Sequence, residues 1–107
     1  MDTLKGLYEV VENRKKISEE GSYTCYLFDK GLDKILKKCG EEMSEVIIAA
    51  KNNDKNELSN ELCDVFYHLT VLMVNEGLAY DNVMDMLEER RKKIGNLKQM
   101  RVTDKDT

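Results

Sequence analysis

At 107 residues, 41% of them hydrophobic, the chain has material for one compact domain; folding at this size removes only roughly two-thirds of the unfolded surface, so a partner chain would help complete the burial. The formal net charge of -4 and the pI near 5.1 argue against a general binder of phosphate backbones, which would carry a basic stripe, so nucleic acid is not expected as a partner. With no proline, six glycines and long stretches of Leu, Lys, Glu, Met and Asp, the composition leaves little for strands and points to an all-α fold.

The opening MDTLKGLYEV lacks the apolar run of a signal peptide, and no stretch approaches the roughly 20 apolar residues that span a bilayer, so the protein reads as cytoplasmic with no membrane partner. Cys25, Cys39 and Cys63 are odd in number and form no CxxC or Cys/His cluster. They read as reduced thiols, with Cys39 and Cys63 at or next to apolar helical positions.

In chain order, Leu4, Leu7, Tyr8, Val11 and Ile17 predict a first helix over about 3 to 17, ended by SEEGS. The segment 23 to 31, YTCYLFDKG, fits either a loop or a brief helix. Leu32, Ile35, Leu36, Cys39, Met43, Val46, Ile47 and Ala50 recur at steps of three and four and predict a long amphipathic helix over about 31 to 51. The triplet NND stops it. Leu58, Leu62, Val65, Phe66, Leu69, Leu72 and Met73 predict a second long helix over about 55 to 76, closed by Gly77 as a left-handed cap. So short a connection forces the two into an antiparallel hairpin. Val83, Met86, Leu87 and Ile94 predict a last helix near 80 to 94, acidic early and basic late as the helix dipole favours, ending at Gly95. Residues 1 to 95 make the domain and 96 to 107 a polar tail.

The hairpin carries two acidic pairs with equal spacing, Glu42/Glu45 and Glu61/Asp64. Residues three apart share a helix face, and each pair falls on the same flank of its apolar stripe, so packing through the stripes brings both pairs to one side. Counted from Asn53, Glu45 and Glu61 share one level, and Glu42 and Asp64 the next. Four carboxylates gathered this way repel unless a cation lies among them. Oxygen-only ligands favour Mg²⁺ or Mn²⁺, and Mg²⁺ commonly takes its remaining ligands from water and substrate phosphates. Against this stands the plainer reading, a solvated acidic face paired with lysines. Lys38 and His68 share a further level on the same flank and are candidate phosphate-binding groups, although Lys38 equally suits pairing with Glu41 or Glu42, and His68 a structural hydrogen bond at the core edge. Glu41 points further from the stripe and is expected to face solvent, with support of the metal ligands or activation of a water as its other readings.

These residues resemble the phosphoribosyl-ATP pyrophosphohydrolases of histidine biosynthesis, a branch of the all-α nucleotide pyrophosphohydrolase (MazG-like) superfamily. The resemblance rests on SYTCYLFDKGLDKILKKCGEEMSEVIIAAKNNDKNEL at 22 to 58, ELCDVFYHLTVLM at 61 to 73 and GLAYDNVMDMLEERR at 77 to 91. ExxE followed by ExxD marks the superfamily; SYT, the IAAKN turn and DxxYH are more distinctive of the branch. The resemblance implies magnesium ligation by Glu42, Glu45, Glu61 and Asp64, with Ser22, Tyr23, Thr24, Lys30, Lys38 and His68 near the substrate's phosphates or ribose. It implies hydrolysis of phosphoribosyl-ATP to phosphoribosyl-AMP and pyrophosphate. Met43, Cys39, Cys63 and Ala79 depart from the usual pattern, the last standing where a Ser-type helix cap is preferred.

Two alternatives remain: a house-cleaning pyrophosphohydrolase for ordinary (d)NTPs, which keeps the acids and differs in the pocket, and a non-enzymatic helical interaction module whose acids are merely solvated. For architecture, the expectation is the hairpin buttressed by the first and last helices, with its remaining apolar surface covered by a second copy in a homodimeric bundle.

Overall fold

The computed structural model describes residues 2–93 together with Met100, Arg101 and Asp104. Within them the chain forms five helices: α1 (Thr3–Lys16), α2 (Tyr23–Lys30), α3 (Leu32–Lys51), α4 (Lys55–Asn75) and α5 (Tyr80–Lys92). The ambiguous segment after SEEGS is thus helical, and the expected end at Gly95 and most of the 96 to 107 tail lie outside the described residues.

Local chemistry sets the boundaries. The Asp2 carboxylate accepts the Lys5 N–H at 2.9 Å, Ser22 Oγ accepts the Cys25 N–H at 3.2 Å, and the Asp54 carboxylate accepts the Glu57 N–H at 3.0 Å, so α1, α2 and α4 each begin on a side-chain cap. Helix α5 starts at Ala79 with no side-chain cap, as that residue foretold. The long helices end alike. Asn53, at φ 58°, donates its N–H to Ala50 O while Asp54 N–H reaches Ala49 O; Gly77, at φ 69°, donates to Val74 O while Leu78 N–H reaches Met73 O. Both are Schellman endings, which need a left-handed residue after the helix.

Helix α4 is the centre of the molecule. It packs most extensively along α3, in the hairpin the short NND connection requires, and also against α1 and α2. The core is Val11, Leu27, Ile35, Val71 and Val74, with Leu7, Tyr8, Phe28, Cys39, Tyr67 and Leu72 packed around it. Helix α5 is tied to α1 at its start: the Tyr8 and Tyr80 rings lie 5.7 Å apart, Tyr8 Oη donates to Leu78 O at 2.9 Å, and Tyr80 Oη donates to the Asp2 carboxylate. The three cysteines are free thiols, and it is Cys25 that is buried while Cys63 is exposed. Cys25 fixes the α1–α2 connection, its Sγ lying 3.4 Å from Glu19 N and 3.5 Å from Arg14 O.

The apolar stripes are divided. On α3, Ile35 and Ala49 are buried whereas Leu32, Leu36, Met43 and Ile47 are exposed; on α4, Val71 and Val74 are buried whereas Leu62, Phe66 and Leu69 are exposed. Each stripe is wider than one neighbouring helix can cover, so among the described residues a face of the hairpin, and Met86 and Leu87 of α5, stay exposed. No helix among the described residues is long and apolar enough to cross a membrane.

Candidate active site

The acids converge, but not with the predicted symmetry. Glu42, Glu61 and Asp64 each offer a carboxylate oxygen within 4.8 Å of the others. Glu45 is exposed and stands outside this trio. Three residues advance a helix by about 300°, leaving Glu45 some 60° away from Glu42 around α3. Glu42 lies on the inward line with Val46 and Ala49, and Glu45 therefore turns outward. On α4 it is Glu61 that lies inward, with His68 and Val71, and Asp64 beside it. Equal offsets in sequence thus become unequal depths once the helices pack.

Glu61 is the unusual member. Only 8% exposed, it has a buried Oε2 without a hydrogen-bond partner. Its pKa is pushed up to about 7, first by the Glu57 carboxyl within hydrogen-bond reach, then by burial, then by Glu42 and Asp64. Glu57, one turn earlier on α4, was not singled out from the sequence; its spacing of four from Glu61 was the available signal.

Around the trio, Lys38 Nζ lies 3.1 Å from Glu41 Oε2 and 3.7 Å from Glu42 Oε1. Both pairings anticipated for Lys38 occur, and Glu41 is solvent-facing as expected. The Glu41 contact raises the Lys38 pKa and lowers that of Glu41. His68 is buried, and its two ring nitrogens are engaged: Nδ1 lies 2.7 Å from Asp64 O and Nε2 lies 3.1 Å from Tyr23 Oη. The structural reading of His68 therefore holds, and the same bonds bind it to the trio through Asp64. Tyr23 also feels the charges of Lys38 and Glu42, and its phenol pKa is raised, chiefly by desolvation.

The remaining expected residues are distributed along α2. Ser22 is its N-cap, which occupies its hydroxyl as an acceptor. Thr24 Oγ1 is hydrogen-bonded to Tyr67 Oη on α4. Lys30 sits at the opposite end of α2, roughly 10 Å along the axis from Tyr23, with its ammonium 5.8 Å from the Tyr26 ring centroid. The fold does not bring it to the trio. Tyr67 was overlooked in the sequence although it stands in DxxYH; its ring stacks on Tyr23 with centroids 6.1 Å apart and meets His68 edge-on at 4.9 Å.

The buried Glu61 carboxyl thus stands beside those of Glu42 and Asp64, with Lys38 alongside Glu42 and the capped start of α2 close by through Tyr23 and His68. The sequence profile of the phosphoribosyl-ATP pyrophosphohydrolase family matches residues 4–91. Over 98 residues the chain is 52% identical to the phosphoribosyl-ATP pyrophosphatase of Clostridium novyi (strain NT), covering 92% of this chain and 89% of the relative. To that of Clostridium botulinum (strain Kyoto / Type A2) it is 55% identical over 102 residues, covering 95% and 93%. To that of Streptococcus sanguinis (strain SK36) it is 56% identical over 90 residues, covering 84% and 86%. With nearly all of the five-helix unit matched, acidic trio and aromatic corner included, the chain belongs to the phosphoribosyl-ATP pyrophosphohydrolase family.

Proposed function

We propose that the chain catalyses the second step of histidine biosynthesis, the Mg²⁺-dependent hydrolysis of phosphoribosyl-ATP to phosphoribosyl-AMP and pyrophosphate, and that it works as a homodimer in the cytoplasm. The activity is supported by membership of the family and by the names of its relatives. The cation is supported by Glu61 Oε2, buried and unpartnered among acids: an arrangement that repels itself becomes favourable around a divalent ion.

Glu42, Glu61 and Asp64 would hold the ion, with Glu45 as the fourth acid on the solvent side. The donors are all oxygens, which suits Mg²⁺ and also Mn²⁺. When bound, the ion supplies charge neutralisation at phosphate oxygens. The chain does the rest. Lys38, released from Glu41 and Glu42, neutralises a phosphate the trio alone would repel, and the start of α2 adds its positive dipole end. Water attacks the α–β phosphoanhydride, a carboxylate accepts the water's proton, and the P–O bond breaks to release pyrophosphate.

The uncovered face of the hairpin, Leu36, Met43, Ile47, Leu62, Phe66 and Leu69, supports the second copy, since a contiguous apolar surface on two packed helices is what a self-complementary contact buries. The three free thiols suit a reducing compartment.

The experiment is turnover of phosphoribosyl-ATP by the purified chain, with and without Mg²⁺, against a panel of nucleoside triphosphates. Cation-dependent release of pyrophosphate from phosphoribosyl-ATP, lost in Glu42→Gln with helicity retained, is expected. Preference for a (d)NTP would redirect the assignment to the house-cleaning activity.

A further inference from the structure

Ser22, Tyr26 and Asp29 recur at steps of four and three, so they share one face of α2, and Tyr23 borders it. With Glu20 and Cys25 they line an open cleft of about 510 Å³, a size that suits a small molecule. Its walls are aromatic and acidic. The Tyr23 and Tyr26 rings lie 22° from parallel with centroids 6.1 Å apart, and Tyr23 is 45% and Tyr26 41% exposed. Glu19 at the rim is paired with Arg14 at 3.2 Å. Glu20 and Asp29 have no ion-pair partner among the described residues, and none of the described residues lining the cleft is a lysine or arginine.

An exposed aromatic pair is a platform for a flat ring, and unpaired carboxylates beside it favour a ring that is positively charged. Lys30 Nζ, 5.8 Å from the Tyr26 centroid and outside the lining of the cleft, already uses the attraction of that ring for a cation. A phosphate finds its opposite charge at Lys38 and at the acid-held ion instead. The two places adjoin. Tyr23 lines the cleft, and its Oη lies 3.1 Å from His68 Nε2, whose ring reaches Asp64 O at 2.7 Å.

Phosphoribosyl-ATP carries a second ribose on its adenine ring, and a ring nitrogen so substituted leaves the purine positively charged, whereas the bases of ordinary nucleoside triphosphates are neutral. We propose that the cleft is the purine subsite, with Tyr26 as its stacking platform and Asp29 and Glu20 as the counter-charge that selects a cationic purine over a neutral base. This rests on the reading that the polyphosphate of phosphoribosyl-ATP is held at the trio.

The test uses the full chain and two probes without phosphates, 1-methyladenosine as a cationic purine and adenosine as a neutral one, with Kd read by calorimetry. KM for phosphoribosyl-ATP and the Kd of inorganic pyrophosphate with Mg²⁺ are measured alongside. Wild-type protein is expected to bind 1-methyladenosine about three- to tenfold more tightly than adenosine. Tyr26→Ala is expected to weaken 1-methyladenosine binding and to raise KM, each about tenfold, with the pyrophosphate Kd within about twofold of wild type. Tyr26→Phe keeps the ring and is expected to stay within about threefold of wild type on every measure. Asp29→Asn is expected to leave adenosine binding unchanged and to remove the preference for the cationic purine. Equal wild-type affinity for the two probes, a wild-type KM in Tyr26→Ala, or a loss of pyrophosphate binding that matches the rise in KM overturns the proposal. The expected ordering of probes and variants in a protein that leaves phosphoribosyl-ATP intact overturns the substrate assignment and keeps the cationic-purine site. Turnover of phosphoribosyl-ATP with neither nucleoside bound overturns the site and keeps the substrate assignment.

Discussion

Glu61 makes proton release the sharpest measure of cation binding. In the metal-free chain its pKa, pushed up to about 7 by Glu57, burial, Glu42 and Asp64, leaves it roughly 95% protonated near pH 5.8. Ligation requires the carboxylate, so binding one ion there expels roughly 0.9 proton near pH 5.8 and only roughly 0.1 at pH 8, where the group is already ionised. Calorimetric titration with Mn²⁺ in two buffers of different ionisation enthalpy reads this number directly, and Glu61→Gln should abolish both the release and the binding. Folding carries the same signature. Because the folded chain holds this proton more tightly than the unfolded chain does, the contribution of Glu61 to stability is fully present below the ordinary glutamate value of 4.5 and is lost as pH rises toward about 7. The metal-free protein should therefore lose melting temperature across that window from this group, and Mn²⁺ should restore it. Tight Mn²⁺ binding at pH 5.8 without proton release would place the ion elsewhere and refute the reasoning.

Ile35→Ala, at a fully buried position of the core, should cost about 2–5 kcal/mol in urea unfolding. At Asn53, φ 58°, a β-branched residue is strained: Asn53→Val should destabilise by about 1–2 kcal/mol while Asn53→Gly stays near neutral, as thermal melts would show. Phe66→Glu, on the uncovered face of α4, should convert a dimer into a folded monomer by analytical ultracentrifugation; unchanged sedimentation would move the interface off this face.

The relation of sequence to site is instructive at Glu45 and Glu61. Their equal distances from Asn53 predicted a symmetrical four-acid nest, and the hairpin does bring Glu42, Glu61 and Asp64 together. The asymmetry came from depth, which periodicity along one helix does not encode: α4 lies against three helices and draws Glu61 and His68 inward, while Glu45 on α3 turns to solvent. Tyr67 escaped notice for the same reason, because its partner Thr24 is 43 residues away and belongs to a helix too short to declare itself by pattern.

Local physical chemistry was determined by the sequence: an all-helical chain without proline, the turn at NND, the glycine cap at position 77, the uncapped Ala79 and the acidic pairs at matched levels. These follow from backbone propensity, capping and helical spacing, which act over a few residues. Tertiary packing alone decided which half of each apolar stripe is buried, which acid is deprived of solvent and which hydroxyl is tied to which ring. Those outcomes depend on how many neighbours each helix face meets, a quantity that exists only once the helices are assembled.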